Sequence, residues 1–255
     1  MQYIGIDIGS TAAKVWGFGE KDIHFVQPTG WSSVETAREI KERLLEAGID
    51  VTSDAVRVVA TGYGRISVDY ADFVITEITC HGRGAREIAG DSVGVIDVGG
   101  QDTKVILVED GMVRDFLMND KCSAGTGKFL EVMANRLAVD MPNLFEMARV
   151  GEKTPISSLC TVFAESEIIS YIGEGRPRED IAAGVVDSVA EKVTGLSARM
   201  DFPETVLLTG GLSRIPYFAD VLSEKLEREV QIDERGQFAG ALGAALLAKE
   251  KKKRN

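Results

Sequence analysis

The sequence predicts an α/β protein assembled from two copies of one unit, a β-hairpin closed by a glycine turn and followed by helices. Three observations carry this prediction. Short apolar segments of strand length alternate with helical periodicity over 255 residues, enough chain for one large domain or two small ones. DIGSTAAKV at 7–15 lines up with DVGGQDTKV at 97–105, so that Asp, an aliphatic residue, Gly and Lys-Val recur in register. Each copy stands at the end of an apolar strand, the mark of an internal duplication. A further glycine turn, LLTGG at 207–211, closes the last apolar strand.

YIGIDIG reads as the first strand, AAKVWGFG as its partner across a Gly-Ser-Thr turn, and IHFVQ as a third. Residues 33–47 carry an amphipathic helix with Val34, Ala37, Ile40, Leu44 and Ala47 on one face. VRVVAT (56–61) is a buried strand, and 77–90 is a helix closed by Gly90. The pattern then restarts with VGVIDVGG, TKVILVED and MVRDFLMN. Helices follow at 126–138, 142–150, 161–173 and 178–200. After the strand at 204–211 come two more, at 213–228 and 237–249. No low-complexity linker separates the halves, so the expected domains are 1–91 and 92–236, with 237–255 crossing back to the first.

Composition excludes several functions. A net charge of −11 argues against nucleic acid, which is gripped by basic surface that displaces counterions from phosphates. The terminal KEKKKRN reads as a solvated helix end. No apolar run approaches the ~20 residues that span a bilayer, and MQYIGIDIGS lacks the basic region and cleavage site of a secretory signal. The expectation is a cytoplasmic protein without membrane or nucleic-acid partners. In that reducing compartment Cys80, Cys122 and Cys160 are core residues, reactive thiols or metal ligands rather than disulfides.

The paired Asp-x-Gly hairpins point to a clamp on phosphates. Gly9, Gly99 and Gly100 permit tight turns that bring backbone N–H groups against anionic oxygens, where a Cβ would obstruct. Ser10 and Thr11 add hydroxyl donors, and Lys14 adds a point charge. Asp7 and Asp97 sit where a hydrated Mg²⁺ would be held, since that ion favours carboxylates, retained waters and phosphate oxygens. Gln101 is placed to orient a hydrolytic water and Asp102 to assist the metal; hydrogen bonding within the turn is the other reading of both.

DIGST, DVGGQD, LTGG and the final GALGAALLA occur in an order that resembles the actin, Hsp70 and sugar-kinase superfamily. The resemblance covers nearly the whole chain. It implies an actin-like ATPase fold with two similar domains, ATP in the cleft between them, and Gly210 and Gly211 against the adenosine. Fold alone leaves the output open. GTGK at 125–128 is not a phosphate loop, because the position five before its GK holds Cys122 and the residue after it is Phe129. GYGRIS and GRGARE lack the third glycine of a dinucleotide fingerprint.

Cys122 precedes SAGTG and a helix beginning near Thr126, and Cys160 precedes TVFAESEIISYIG. At a helix start, unpaired N–H groups and the positive dipole end favour a thiolate, and equally an anionic cluster. Gly125 and Gly127 would let amides approach such a cluster. Position alone leaves two free, semi-buried cysteines as an equal reading. The chain has no CxxC, so one copy cannot supply the four thiolates that an iron–sulfur cluster takes. Two per chain suffice if a two-fold dimer shares one cluster.

At these residues the match becomes specific. MNDKCSAGTGKFLEVMA and SLCTVFAESEIIS, with DVGGQD and ATGYGR, closely resemble the activator component of 2-hydroxyacyl-CoA dehydratases. The ATPase subunits of benzoyl-CoA reductases belong to the same family. The resemblance implies a homodimer holding one 4Fe–4S cluster through Cys122 and Cys160 of each copy. It also implies ATP-driven transfer of one electron to a partner iron–sulfur enzyme. That partner is of the 2-hydroxyacyl-CoA dehydratase, benzoyl-CoA reductase or double-cubane type, and the donor is a ferredoxin or flavodoxin. Cys80 reads as a helix-core cysteine, and His24 and His81 as structural. Glu165 is a helix-end charge or a link from the cluster helix to the nucleotide. Two other functions fit the superfamily. A small-molecule kinase would use Asp69 or Asp72 as base, and an actin-type structural protein would polymerise with ATP. Neither gives Cys122 and Cys160 a role.

Overall fold

Strand β1 (Gln2–Ile8) and strand β2 (Ala12–Phe18) pair antiparallel, with Asp7 opposite Lys14. The computed structural model in which they lie describes residues 1–157 and 160–251. Residues 252–255 of the KEKKKRN end and Ser158–Leu159 of the second cysteine motif fall outside the described residues. Strand β3 (Ile23–Pro28) adds to the β2 edge, and β4 (Val56–Thr61) runs parallel to β1. The two-residue β5 (Phe73–Val74) completes a sheet of order β3-β2-β1-β4-β5. A second sheet has the order β10-β9-β6-β7-β8. Its strands are β6 (Val93–Val98), β7 (Thr103–Glu109), β8 (Met112–Asn119), β9 (Val206–Gly210) and β10 (Val230–Gln231). In both sheets three consecutive strands lie side by side, β1–β2–β3 and β6–β7–β8, and the next strand, β4 or β9, pairs parallel to the first of them.

The chain divides into two compact units. One comprises Met1–Val93, Ile106–Phe116 and the segment from Arg235 onward; the other comprises Gly94–Val105 and Leu117–Glu234.

In the first unit, helix α1 (Ser33–Glu46) starts where the Ser32 hydroxyl accepts the Glu35 amide at 3.3 Å. It buries Thr36, Ala37, Ile40 and Leu44. Val34, expected on that face, is exposed, and Thr36 takes the inward position because its hydroxyl donates to the Thr29 carbonyl. Helix α2 (Glu77–Ala89) ends at Gly90, and α8 (Ala239–Glu250) packs against it and against β1. That packing is close enough to need glycine. A Cβ on Gly243 would strike the Cys80 carbonyl, and one on Gly5 the Ala241 carbonyl. The small residues of GALGAALLA thus let two backbones approach, which larger side chains would prevent.

Among the described residues the second unit holds five helices. They are α3 (Gly127–Arg136), α4 (Met141–Val150), α5 (Thr161–Gly173), α6 (Arg178–Ser197) and α7 (Pro216–Leu226). Their core gathers Phe129, Leu130, Phe145, Ile181, Val189 and Phe218 around β6 and β9. Helix α4 is capped by Asp140, whose carboxylate accepts the Asn143 amide at 2.9 Å. The helix expected from 213 begins at Pro216, because Gly211–Arg214 form a separate 3₁₀ turn and proline fits the first helical turn. No described helix is long and apolar enough to cross a membrane.

Candidate functional site

The first glycine turn lies in the first unit. Gly9 donates its amide to the Ala12 carbonyl at 3.1 Å, and its own carbonyl accepts the Thr29 hydroxyl at 2.7 Å. Ser10 and Thr11 are exposed at the tip, and the half-buried Lys14 ammonium lies 3.9 Å from where a Cβ on Gly9 would stand. Asp7 is 2% exposed. Its Oδ1 finds no hydrogen-bond partner among the described residues. Two glycines press on this carboxylate. A Cβ on Gly62, at φ +84°, would strike Oδ1, and one on Gly240 would stand 2.6 Å from Oδ2. A buried carboxylate with an open oxygen costs several kcal/mol unless a cation meets it, so Asp7 fits a role toward Mg²⁺. Reading the sequence for fingerprints missed Gly62 and Gly240. Their signal is a glycine just past the end of β4 and another in the first turn of α8, each facing Asp7 only in three dimensions.

The second turn lies in the second unit and is built differently. Gly99 donates its amide to the Asp102 carbonyl at 2.9 Å, and Gln101 is exposed. Asp97 is buried and already engaged. Its Oδ1 accepts the Thr209 hydroxyl from β9 at 3.0 Å, and its Oδ2 lies 3.4 Å from the Lys104 ammonium. Lys104, itself 2% exposed, also donates to Asp102 Oδ1 at 2.8 Å. The sequence repeat gives Asp7 and Asp97 equivalent positions, but their surroundings differ. Gly210, at φ +80°, is needed by the sheet itself, since a Cβ there would stand 2.5 Å from the Val98 carbonyl. A Cβ on Gly211 would meet open space.

The cysteine segments belong to the same unit as this second turn, and hydrogen bonds join them. The amides of Gly127 and Lys128, the first residues of α3, donate to the carbonyls of Gly99 and Gly100, each at 2.9 Å. The Thr103 hydroxyl donates to the Gly125 carbonyl at 2.6 Å, where Gly125 adopts φ +88°. The Gly127 amide, expected to approach a cluster, is therefore committed to the glycine turn instead. Lys128 of the discarded GTGK pairs with Glu131 at 3.1 Å.

Cys122 is exposed in the turn just before α3, whose N-cap is Thr126. Its carbonyl accepts the Asn119 side chain at 2.8 Å. Cys160 is exposed at the N-cap of α5. A 2.7 Å bond between the Ser123 and Thr161 hydroxyls brings the two cysteine segments together. Glu165 pairs with Arg136 of α3, so it links the helices that follow the two cysteines. Exposed Val162 and Phe163 follow Cys160.

The other candidates are accounted for by packing. Cys80 is fully buried, and burial pushes its thiol up to about 12. His24 stacks on Trp16 at 5.1 Å, and His81 Nδ1 lies 3.3 Å from the Glu77 carbonyl. Asp72 accepts the Val58 amide at 2.8 Å, while Asp69 is exposed. A reactivity difference follows. In iron-free protein at about pH 8, iodoacetamide is expected to modify Cys122 and Cys160 and spare Cys80. Thiolate is the nucleophile, and raising the pH to about 9 leaves Cys80 protonated, as peptide mass mapping would show.

Two glycine turns in duplicated meanders, a buried carboxylate open to a cation and a glycine-closed strand define a nucleotide-binding protein of the actin-like ATPase fold. Residues 4–248 match the BadF/BadG/BcrA/BcrD ATPase family, and the chain belongs to that family. It is 43% identical over 253 residues to the (R)-2-hydroxyglutaryl-CoA dehydratase activating ATPase of Acidaminococcus fermentans, covering 97% of each chain. The crystal structure of component A of that organism's dehydratase superposes with a TM-score of 0.90 at 41% identity, over 98% of both chains. The activator of 2-hydroxyisocaproyl-CoA dehydratase from Clostridium difficile, solved with bound ADPNP, gives 0.89 at 37% over the whole of both chains.

Proposed function

We propose that this chain is an ATP-dependent one-electron donor that activates a 2-hydroxyacyl-CoA dehydratase-type iron–sulfur enzyme. The observation that carries the reading is the pair of 2.9 Å bonds from the start of α3 to the Gly99–Gly100 carbonyls. A change in the second turn on nucleotide binding or hydrolysis is transmitted directly to the helix behind Cys122. The Ser123–Thr161 and Arg136–Glu165 contacts pass it to the Cys160 helix. A ligand drives such a change only through different affinities for two conformations.

Gly9, Ser10, Thr11 and Lys14 act on phosphate oxygens from one turn, and Gly99 and Gly100 from the other. Gly210 and Gly211 flank the adenosine, Gln101 positions the attacking water, and Asp7 is the carboxylate toward Mg²⁺. Cys122 and Cys160 from each of two copies would hold one 4Fe–4S cluster, which supplies one-electron redox chemistry when bound. The residues fit: both thiols are exposed and outside any disulfide, and their segments are tied together. Exposed Val162 and Phe163 beside them suit burial against a second copy. Relatives named as dehydratase activators support the acceptor class. A benzoyl-CoA reductase subunit at 28% identity supports the neighbouring acceptor less closely. The electron source is a ferredoxin or flavodoxin.

Anaerobic isolation tests the proposal. The expected product is a brown dimer with about four irons, reducing its acceptor only when ATP is supplied. A colourless, iron-free protein that still hydrolyses ATP would overturn it.

A further inference from the structure

The duplicated turns carry the same Asp and Lys at matching positions, Asp7 with Lys14 and Asp97 with Lys104, yet the two lysines do different things. Lys14 is half-buried beside Gly9 and makes no ion pair with Asp7 among the described residues, although β1–β2 register sets the two opposite each other. Lys104 is among the largest fully buried side chains of the molecule and lies between two carboxylates, Asp97 Oδ2 at 3.4 Å and Asp102 Oδ1 at 2.8 Å. A buried ammonium is tolerated only where it is paired. Its placement has two consequences. It offsets one of the two carboxylate charges beside the glycine turn, and it braces both ends of that turn. Asp97 stands before Gly99–Gly100 and Asp102 after them, and one ammonium spans the pair.

We propose that Lys104 is a positioning residue: it neutralises Asp97 and fixes the Gly99–Gly100 turn for phosphate, which withdraws Asp97 from the cation and leaves that task to Asp7. This rests on the nucleotide reading of the two turns. Sequence symmetry assigns both aspartates to Mg²⁺; the structure assigns them different charges to meet. Without Lys104, two carboxylates would face the incoming phosphates uncompensated, and like charges repel strongly where water is excluded. The same ammonium also keeps the turn in register with α3, because the carbonyls that receive the Gly127 and Lys128 amides lie between its two carboxylate partners.

The test is calorimetric titration of full-length protein with ADP, with and without Mg²⁺. Lys104→Met is expected to weaken ADP binding about thirtyfold, and adding Asp97→Asn to it should recover about tenfold, since charges in direct contact couple strongly. Lys104→Arg should retain most of the affinity. Asp97→Asn alone should keep the Mg²⁺ enhancement of ADP binding, which Asp7→Asn abolishes. A folded Lys104→Met protein that binds ADP within about twofold of wild type would overturn the inference, as would loss of the Mg²⁺ enhancement in Asp97→Asn. If Lys104→Met does not fold, the double variant decides: ADP binding supports the charge role, and its absence in a folded double variant refutes it. Wild-type protein that binds no ADP would overturn this inference together with the nucleotide reading, whereas failure of the variants alone leaves that reading standing.

Discussion

Cys122→Ser and Cys160→Ser proteins are expected to lose their iron and at least a hundredfold of their ATP-dependent reductive activity, while still binding nucleotide. Serine is nearly isosteric, but its hydroxyl is a hard, scarcely ionised donor where iron–sulfur clusters take thiolate. Both cysteines are exposed, so the exchange should change folding stability by no more than about 0.5 kcal/mol. The nucleotide turn is held by backbone bonds and by Lys104, none of which involves a sulfur. Cys80→Ala gives the contrast. That thiol is fully buried under α8, so its loss should cost on the order of 1 kcal/mol and leave iron content unchanged. Iron assay, the visible spectrum and ADP titration on the three variants separate the outcomes. A Cys122→Ser protein retaining wild-type iron and activity would refute the ligand assignment.

Lys128→Pro is expected to separate ATP hydrolysis from electron delivery. The Lys128 amide is the second of the two that join α3 to the glycine turn, donating to Gly100 at 2.9 Å. Proline removes that donor. It is nonetheless compatible with the first turn of a helix, where amides have no intrahelical partner. The preceding residue is Gly127, which lacks the Cβ, one of the two groups whose clash with the proline ring disfavours helical geometry. One backbone hydrogen bond contributes about 1 kcal/mol, so the protein should remain folded. Hydrolysis should stay within about threefold of wild type, whereas ATP-dependent reduction falls at least about tenfold, the factor that 1.4 kcal/mol of lost coupling produces. Lys128→Ala is the control. It keeps the amide and removes only a surface ion pair to Glu131, which is worth little. Equal loss in both variants would show that the side chain matters and the backbone link does not.

Much of the fold was legible because it is local. The meander β1–β2–β3 and its repeat β6–β7–β8 follow from short apolar segments separated by glycine turns, and α5 spans the 161–173 expected from its periodicity. Strands β5 and β10 were not anticipated, since two residues are too few for alternation to register. The inward face of α1 was misjudged at one position, where Thr36 is buried by a hydrogen bond that hydropathy does not encode and Val34 is left exposed.

The candidate site divides along the same line. By itself the sequence determined that there are two Asp-x-Gly turns, a late Gly-Gly and two cysteines each just ahead of a helix, because each is a short run whose chemistry lies in its own residues. Only the tertiary structure decided what those residues face. Gly62 and Gly240 close on Asp7 from β4 and α8, Thr209 and Lys104 occupy Asp97 from β9 and β7, and the first amides of α3 end on the Gly99–Gly100 turn. These partners come from separate elements, and their pairing depends on how strands are ordered and helices laid down. Two aspartates identical in the repeat therefore become one open carboxylate and one neutralised one.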